Sequence, residues 1–215
     1  MATIVSAQDM LVYVGTYTEP IRFGTGKILE GKGEGIYLFR LDQASGAMES
    51  VGKTTGVKNP SYLAFDGTQR FLYAVNELKE FGGKPGGAVS AFAVDTATGN
   101  LELINQQPTH GTDPCHVVVD AKNKYVFVAN FMSGSVCVLP VREDGGLEPA
   151  CDFIQHQGSG IDPLRQKGPH AHAVTLEGRY AFVPDLGLDK LLVYKIDPAR
   201  GMLEAHDVPW IKMSS

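Results

Sequence analysis

Long apolar runs and excess positive charge are both missing from this sequence. No stretch approaches the roughly 18–20 consecutive apolar residues that a membrane helix needs, so we expect no membrane partner. Lysine and arginine number 19 against 24 acidic residues, and the net charge of −5 argues against a nucleic-acid partner. The segment Met1–Met10 has no basic region and carries Asp9 where a signal peptide would be apolar, so no signal peptide is expected.

Cysteine is also scarce. The three cysteines are odd in number and form no CxxC pair, which favours free thiols. Cys115 and Cys137 fall in predicted strands and Cys151 lies near another, positions where cysteine usually acts as a small buried hydrophobe. Free thiols fit a reducing compartment, and we therefore expect a cytoplasmic protein.

Apolar residues at helical spacing are not found in any window of useful length, and the sequence instead repeats itself. The segments PSYLAFDGTQRFLYAVN, PCHVVVDAKNKYVFVAN and PHAHAVTLEGRYAFVPD open at Pro60, Pro114 and Pro169, with offsets of 54 and 55 residues. A partial copy, LVYVGTYT followed by GIYLFRLDQASGAMES, precedes them. A period near 50 residues is typical of propellers and solenoids.

Each repeat predicts four short β-strands. Val, Tyr and Phe fill the apolar runs, while Gly, Asp and Asn fill the turns, as in DTATGN, REDGG and DPARG. The 25 glycines and 12 prolines agree with a turn-rich all-β chain. Four strands in a repeat of this length indicate β-propeller blades. We predict a single propeller domain over residues 1–215, with blades at about 11–56, 57–108, 112–157 and 168–209.

The predicted ring is incomplete, with about four blades. Propellers have about four to eight blades and are usually closed by a blade built from both chain ends. Here blade 1 lacks its first strand, and the sequence stops at WIKMSS, where a new proline-led unit would follow. We therefore expect about half of a larger propeller, whose open blade edges favour self-association. Four closed blades, or two copies paired into one ring, are the alternatives.

Comparison of the repeats singles out two histidines. His170 stands where the other repeats have Ser61 and Cys115, and His172 stands where they have leucine and valine. Positions two apart in a strand point to the same side. The two histidines are therefore predicted to form a pair at the mouth of the innermost strand of blade 4, facing the central channel. The alternative is that both are ordinary polar residues at the end of a loop.

Other polar positions carry less information. Asn76, Asn130 and Asp185 recur at one position, so they either hydrogen-bond the turn at a strand end or line a pocket. His156 and His206 are predicted to be exposed, and the remaining histidines lie in a loop and a strand.

All long insertions fall on one face of the predicted blades. They span 18–35, 77–88 and 155–168, whereas the turns of the other face are short in every repeat. Insertions gathered on one face usually mark the binding face of a repeat protein. Glu77 and His170 lie on that face. The stretches GTGK and GGKPGG are only weak candidates for phosphate loops, because neither leads a strand into a helix.

Four segments carry a resemblance to a known family, namely LVYVGTYT, FLYAVNEL, GPHAHAV and YAFVPDLGLDKLLVYKID. In this order and at this blade spacing they resemble the seven-bladed 6-phosphogluconolactonase and carboxymuconate cycloisomerase-like lactonases. The similarity extends over essentially the whole chain, but only over the N-terminal half, or slightly more, of a family member. The resemblance implies that the complete ring has seven blades.

The resemblance also implies lactone hydrolysis without a metal or other cofactor. Members hydrolyse sugar lactones such as 6-phosphogluconolactone or, in fungal relatives, interconvert carboxymuconate and its lactone. The catalytic histidine of the family lies in a GPH or GCH segment, which here gives His170 as the base that activates water. The expected partner is a small sugar lactone, phosphorylated or not. The residues expected to bind it are His172, Asp185, Asn130, Asn76 and Glu77.

Two parts of the family's site do not occur in this sequence. The family's substrate-binding arginine lies in a GPRH motif one blade later, and an acidic partner follows in an NEL motif. Arg165 and Arg179 lie in no such motif, and the NEL at Asn76–Leu78 belongs to blade 2. The chain by itself is therefore expected to be a poor or inactive enzyme, with lactonase activity near background.

Two other functions stay open. The segments YVFVAN and FLYAVN also resemble the YVTN-type repeats of non-enzymatic binding propellers, although a plain scaffold does not explain the insertions or His170. Alternatively, His170, His172 and Asp185 could bind a metal ion, but no further ligand is evident.

Overall fold

The computed structural model describes residues 10–22 and 26–213, and all regular structure in these ranges is β. The strands form one three-stranded and three four-stranded antiparallel sheets, with two small hairpins. The fold class predicted from the sequence, an incomplete all-β propeller of four blades, is confirmed. A search of the described ranges finds no helix long and apolar enough to cross a membrane.

The first sheet holds three strands. These are β1 (Met10–Val14), β4 (Gly35–Leu41) and β5 (Met48–Thr55), with β4 in the middle. The connection between β1 and β4 carries a hairpin of β2 (Ile21–Arg22) and β3 (Ile28–Leu29).

The other three sheets each hold four strands that neighbour one another in chain order. Blade 2 consists of β6 (Leu63–Phe65), β7 (Phe71–Asn76), the hairpin β8 (Glu80–Phe81) and β9 (Lys84–Pro85), then β10 (Ala88–Val94) and β11 (Leu101–Pro108). Blade 3 consists of β12 (Pro114–Val119), β13 (Tyr125–Asn130), β14 (Ser135–Pro140) and β15 (Asp152–Gln155). Blade 4 consists of β16 (Thr175–Glu177), β17 (Tyr180–Asp185), β18 (Lys190–Ile196) and β19 (Leu203–Lys212).

The core lies between the blades. In β13, Val126 and Val128 join the apolar cluster shared with blade 2, while Phe127 and Ala129 join the cluster shared with blade 4. This alternation follows from the two-residue period of a strand. Because both faces of the strand are covered, the segment YVFVAN reads as a continuous apolar run.

Tyrosine hydroxyls link each blade to the next at one end of the sheets. The Tyr73 hydroxyl donates to the Gly145 carbonyl at 2.9 Å, and the Tyr125 hydroxyl donates to the Ala199 carbonyl at 2.9 Å. Both acceptors lie in the short Asp/Gly turns REDGG and DPARG. These turns therefore share one face of the ring.

The long insertions lie on the opposite face, as predicted. Glu77 from the second insertion and Arg165 from the third line one cavity there, and Tyr17, which directly precedes the first insertion, lines it too. The Gly33 amide within the first insertion donates to the Tyr17 carbonyl at 2.9 Å. Part of this insertion, residues 23–25, lies outside the described ranges.

The innermost strand of blade 4 begins later than the sequence predicts. β16 starts at Thr175, after both histidines, and a single bridge between Ala171 and Asp185 holds the histidine segment beside β17. The third insertion runs directly into Pro169, which has no N–H to donate to a strand ladder. The two histidines therefore lie in an extended segment at the entrance to the strand rather than within it.

Candidate active site

A cavity of about 600 Å³ opens on the insertion face and is lined mainly by two positions of the repeat. One position follows the proline that opens each repeat, and the other follows the end of the second strand. The first position supplies Ser61, Cys115 and His170, and the second supplies Tyr17, Glu77, Phe131 and Leu186. Equivalent positions converge here because the blades are arranged around a common axis.

Three contacts hold His170 in place. Its Nδ1 lies 3.0 Å from the Phe131 carbonyl, its ring stacks on the Phe131 ring at 4.8 Å between centroids, and its amide donates to Asp185 Oδ1 at 2.7 Å. A carbonyl can only accept a hydrogen bond, so Nδ1 carries the proton in the neutral ring. Nε2 is then the unprotonated nitrogen, which is the form that a general base requires.

Two glycines allow the chain to close around His170. A Cβ at Gly187 would collide with the Gly168 carbonyl, and a Cβ at Gly134 would collide with Pro169. Gly134 also has a φ of 61°, which favours glycine. The segment that carries His170 is thus fixed by backbone contacts from blades 3 and 4.

His172 lies on the same side as His170, as the sequence predicts. Its ring meets the edge of Phe131 at 5.4 Å between centroids, and both histidines line the cavity. The His172 amide donates to the Pro184 carbonyl at 3.1 Å, while its side chain is exposed. His172 is therefore available to a ligand.

The blade 1 and 2 side of the cavity is acidic. Glu77 Oε2 accepts hydrogen bonds from the Tyr17 hydroxyl at 2.9 Å and from the Ser61 hydroxyl at 2.6 Å. Burial, and secondarily the negative charge of Glu77, raise the pKa of Tyr17. The phenol therefore stays protonated and serves as a donor. The sequence pointed to Glu77 but not to Tyr17, although the equivalence of Tyr13 with Tyr73 in the repeat puts Tyr17 at the position of Glu77.

The cations of the cavity come from the third insertion. Arg165 and Lys167 are exposed and line the wall near His170 and His172. The cavity therefore has a carboxylate on one side and positive charge on the other, an arrangement suited to a substrate with both hydroxyl and anionic groups. Sequence reasoning placed the third insertion on the binding face but did not single out Arg165 or Lys167, because no local pattern shows which side chains of a loop line a cavity.

Cys115 lies between the two sides. Its sulfur is 3.4 Å from the His172 carbonyl and 3.7 Å from the Ala129 carbonyl. Burial, with a smaller effect from Glu77, raises the pKa of the Cys115 thiol to about 12. Such a thiol is a poor nucleophile at neutral pH.

The three recurring strand-end residues are buried, and their side chains hydrogen-bond with neighbouring groups. Asn76 Nδ2 donates to the Lys58 carbonyl at 2.8 Å, and Asn130 Nδ2 donates to the Ser135 hydroxyl at 3.1 Å. Asp185 Oδ1 accepts three backbone N–H groups. None of the three lines the 600 Å³ cavity. The geometry favours the structural alternative, and their binding of substrate stays a prediction.

His156 was predicted to be exposed, and this is wrong. Its side chain is 1% exposed, and Nδ1 lies 2.7 Å from Asp185 Oδ2. The third insertion folds back over blade 4 and buries it, which the sequence does not reveal. Because this contact and the three N–H groups occupy both oxygens of Asp185, that residue is not free to be the third ligand of a metal site. Within the described ranges, no group of three or more His, Cys, Asp and Glu is placed to hold a metal ion.

Asp113 is a buried acid behind the cavity wall. Its amide donates to the Leu78 carbonyl and its carbonyl accepts from the Phe131 amide, both at 2.9 Å, so its backbone joins the segments that carry Glu77 and Phe131. Its side chain is almost completely buried, and Oδ2 has no hydrogen-bond partner among the described residues. Burial raises the pKa of Asp113 to about 6, although the charge of Lys79 opposes the rise.

Replacing Asp113 with asparagine should stabilise the protein at pH 7.5 but not at pH 4. The pKa of Asp113 is about 6 when folded and about 3.9 when unfolded. The folded state thus loses stability as pH rises from about 4 to 6, by on the order of 2–3 kcal/mol. Asparagine also tolerates the φ of 52° at this position. Urea unfolding at both pH values measures the difference between variant and parent.

The matched control for this experiment is Asp95→Asn. Hydrogen bonds from its own turn, chiefly from the Ala97 amide, lower the pKa of the Asp95 carboxyl. The stability that the Asp95 carboxylate contributes is therefore lost as the pH falls. The two variants should therefore show opposite pH trends. A stability difference at Asp113 that does not change between pH 4 and 7.5 would show that this carboxyl titrates normally.

The antiparallel sheets define a β-propeller, and two histidines, His170 and His172, line the cavity on its insertion face. Residues 11–214 match the family described as "Lactonase, 7-bladed beta-propeller". The chain belongs to this family.

Several relatives are similar along most of this chain. The 6-phosphogluconolactonase of Bacillus subtilis (strain 168) is 38% identical over 186 residues, which cover 86% of this chain and 48% of that protein. The Pseudomonas aeruginosa periplasmic gluconolactonase has a TM-score of 0.81 at 37% identity, covering 96% of this chain and 55% of that one. A Bacteroides fragilis NCTC 9343 structure has a TM-score of 0.86 at 33% identity, and the match covers 99% of this chain and 57% of that one. The chain thus spans about half the length of the curated relatives it matches.

Proposed function

We propose that the protein is a lactone hydrolase of the 6-phosphogluconolactonase type, with His170 as the general base. The observation that carries this is the hydrogen bond from Nδ1 to the Phe131 carbonyl, which leaves Nε2 as an acceptor in a residue that lines the cavity. Family membership and the names of the relatives in Bacillus subtilis and Pseudomonas aeruginosa support the assignment.

The reaction is a ring opening by water. His170 Nε2 takes a proton from water as the oxygen adds to the lactone carbonyl carbon. The tetrahedral intermediate collapses by breaking the bond between the carbonyl carbon and the ring oxygen. The ring oxygen takes the proton from the imidazolium, which gives the open hydroxy acid and restores the neutral base.

The two sides of the cavity hold different parts of a sugar lactone in this proposal. Glu77, with Ser61 beside it, is placed to bind sugar hydroxyls. Arg165 and Lys167 are placed to bind a phosphate or carboxylate. His172, which packs with His170 against Phe131 and lines the cavity, contacts the lactone in this proposal. A phosphorylated sugar lactone uses all of these groups, whereas an unphosphorylated one leaves the cations unused.

The cytoplasm is the proposed location. Cys115, Cys137 and Cys151 are all free thiols, which fits a reducing compartment.

The proposed function is tested by following the hydrolysis of 6-phosphoglucono-δ-lactone and of glucono-δ-lactone with a pH indicator. The sequence alone predicts activity near background, but Arg165 and Lys167 supply cations to the cavity. We therefore expect the purified protein to open the phosphorylated lactone faster than the spontaneous rate, with no loss of rate in EDTA. The double variant Arg165→Ala/Lys167→Ala should raise KM for the phosphorylated lactone about tenfold or more, since charge-assisted hydrogen bonds contribute about 1.5–3 kcal/mol each. KM for the neutral lactone should not change.

The double variant has an internal control, because one protein is measured with two lactones. Equal effects on both lactones would show that the cations do not bind phosphate. Rates no different from the spontaneous reaction for both lactones would favour a non-enzymatic binding propeller. Conversion of a carboxymuconate lactone without hydrolysis of either sugar lactone would favour the isomerase alternative.

A further inference from the structure

A buried acid–histidine pair lies directly behind the catalytic segment. The side chains of His156 and Asp185 are 1% and 0% exposed, and His156 Nδ1 lies 2.7 Å from Asp185 Oδ2. The His156 ring stacks on Tyr194 at 6.3 Å between centroids, and its amide donates to the Gly134 carbonyl at 3.0 Å. Neither residue lines the main cavity, so the pair cannot touch substrate there.

Among the described residues, such an acid–histidine pair occurs only where blade 3 meets blade 4, the blade that carries His170. At the position of Asp185, the other full repeats have the neutral residues Asn76 and Asn130. Asn76 Nδ2 meets a backbone carbonyl and Asn130 Nδ2 meets a serine hydroxyl, and the buried Oδ1 of Asn130 has no hydrogen-bond partner among the described residues. A buried carboxylate is costly unless donors surround it. Asp185 in blade 4 therefore departs from the repeat, and this departure calls for a structural or functional explanation.

Asp185 connects His156 to the catalytic segment. Its Oδ1 accepts the amides of His170 at 2.7 Å, Gly187 at 2.9 Å and Leu188 at 3.1 Å. The same carboxylate thus holds the backbone of the base and the turn that brings Leu186 into the cavity. The Leu186 amide in turn donates to the His170 carbonyl at 3.0 Å.

The contact to His156 fixes the orientation of this carboxylate. Oδ1 meets three backbone amides, and His156 is the group that meets the other oxygen. Without a donor on Oδ2, the carboxylate is free to rotate towards other donors. The His170 amide would lose its acceptor, and the ring would no longer be set against the Phe131 carbonyl.

We propose that His156 is a positioning residue for His170, acting through Asp185. The proposal rests on the proposed function, since it assigns His156 a role in setting the catalytic base. The feature required of residue 156 is a hydrogen-bond donor at the place of Nδ1, not a titratable group and not a contact with the lactone.

Two substitutions of His156 distinguish the loss of its hydrogen-bond donor from a change in its side-chain shape. His156→Phe keeps a ring against Tyr194 but cannot donate, whereas His156→Asn places an amide N–H near the position of Nδ1. We expect His156→Phe to lower kcat for lactone hydrolysis about tenfold or more with KM within about twofold. His156→Asn should keep kcat within about threefold of the parent. A structural control is Val89→Ala, a core change in β10 that loosens the fold without touching the pair.

A spectroscopic measurement tests the same idea without any activity. Nitrogen-15 NMR of the histidine rings should show the Nδ1-protonated neutral form of His170 in the parent and in His156→Asn, and a mixture of forms in His156→Phe. If the parent hydrolyses no lactone, the proposed function fails but the NMR comparison still decides whether His156 positions His170.

Several results would overturn the proposal. Unchanged kcat together with an unchanged His170 spectrum in His156→Phe would show that the donor is not needed. Equal losses in the Phe and Asn variants would show that only packing matters, as would an equal loss of kcat in Val89→Ala. If His156→Phe does not fold, His156→Gln replaces it. Its amide lies one carbon too far to reproduce Nδ1, and parental kcat and spectrum in that variant would also overturn the proposal.

Discussion

In a protein that carries the complete ring, replacing His170 with alanine should lower kcat/KM for 6-phosphoglucono-δ-lactone by about 10²–10⁴-fold, the range that a positioned general base usually contributes. The expected loss follows from geometry, because the Phe131 carbonyl holds the ring as the tautomer whose Nε2 accepts a proton. Most of the loss should fall on kcat, since water activation occurs in the transition state. Initial rates over a range of lactone concentrations, corrected for spontaneous opening, measure both constants.

The control is a histidine of the same blade that does not line the cavity. His206 lies on β19 against Tyr180, with 5.5 Å between the ring centroids, and His206→Ala should keep the parental rate. His170→Ala should also unfold at the same urea concentration as His206→Ala to within a few tenths molar. A folded His170→Ala protein with parental kcat/KM would show that another group activates water.

Cys115 should resist alkylation although it lines the cavity. At pH 8 a thiol with a pKa of about 12 is ionised on the order of 10³-fold less than a free thiol, whose pKa is about 8.5. Because the thiolate is the reactive species, iodoacetamide should label Cys115 about 10³-fold more slowly than it labels an unfolded chain. Mass spectrometry of the peptide that contains Cys115, sampled over time, measures the rate.

The same protein in 8 M urea provides the control, since unfolding removes the burial that raises the pKa. Cys137 is completely buried and should also be slow in the folded protein. Labelling of folded Cys115 within a factor of about ten of the urea rate would contradict the raised pKa. It would also reopen the question of whether this thiol takes part in the chemistry.

The blades were predictable because their signals are local. Runs such as FLYAVN and YVFVAN are apolar throughout, and the Asp/Gly turns between strands have few alternative conformations. Repetition then multiplied each local signal, so that Pro60, Pro114 and Pro169 gave the register of the blades. The structure confirms the fold class, the strand order within the sheets and the shared face of the insertions.

The candidate site was only partly predictable. His170 and Glu77 could be singled out because one breaks the repeat and the other lies on the face that carries the long insertions, and both line the cavity. Asn76 and Asn130 could not be separated from the site by sequence, since a recurring amide fits a strand end and a pocket equally well. In the structure both amides are buried and hydrogen-bond within their own blades, to the Lys58 carbonyl and the Ser135 hydroxyl, and neither lines the cavity.

The sequence by itself determined the all-β class, the four blades and the histidine that departs from the repeat, because strand period, turn chemistry and repetition are properties of adjacent residues. Only the tertiary structure decided which side chains meet. The third insertion buries His156 against Asp185 and brings Arg165 to the cavity. Their partners lie in other blades or across a long loop, and contacts between such distant segments are set by how the sheets pack rather than by any local pattern.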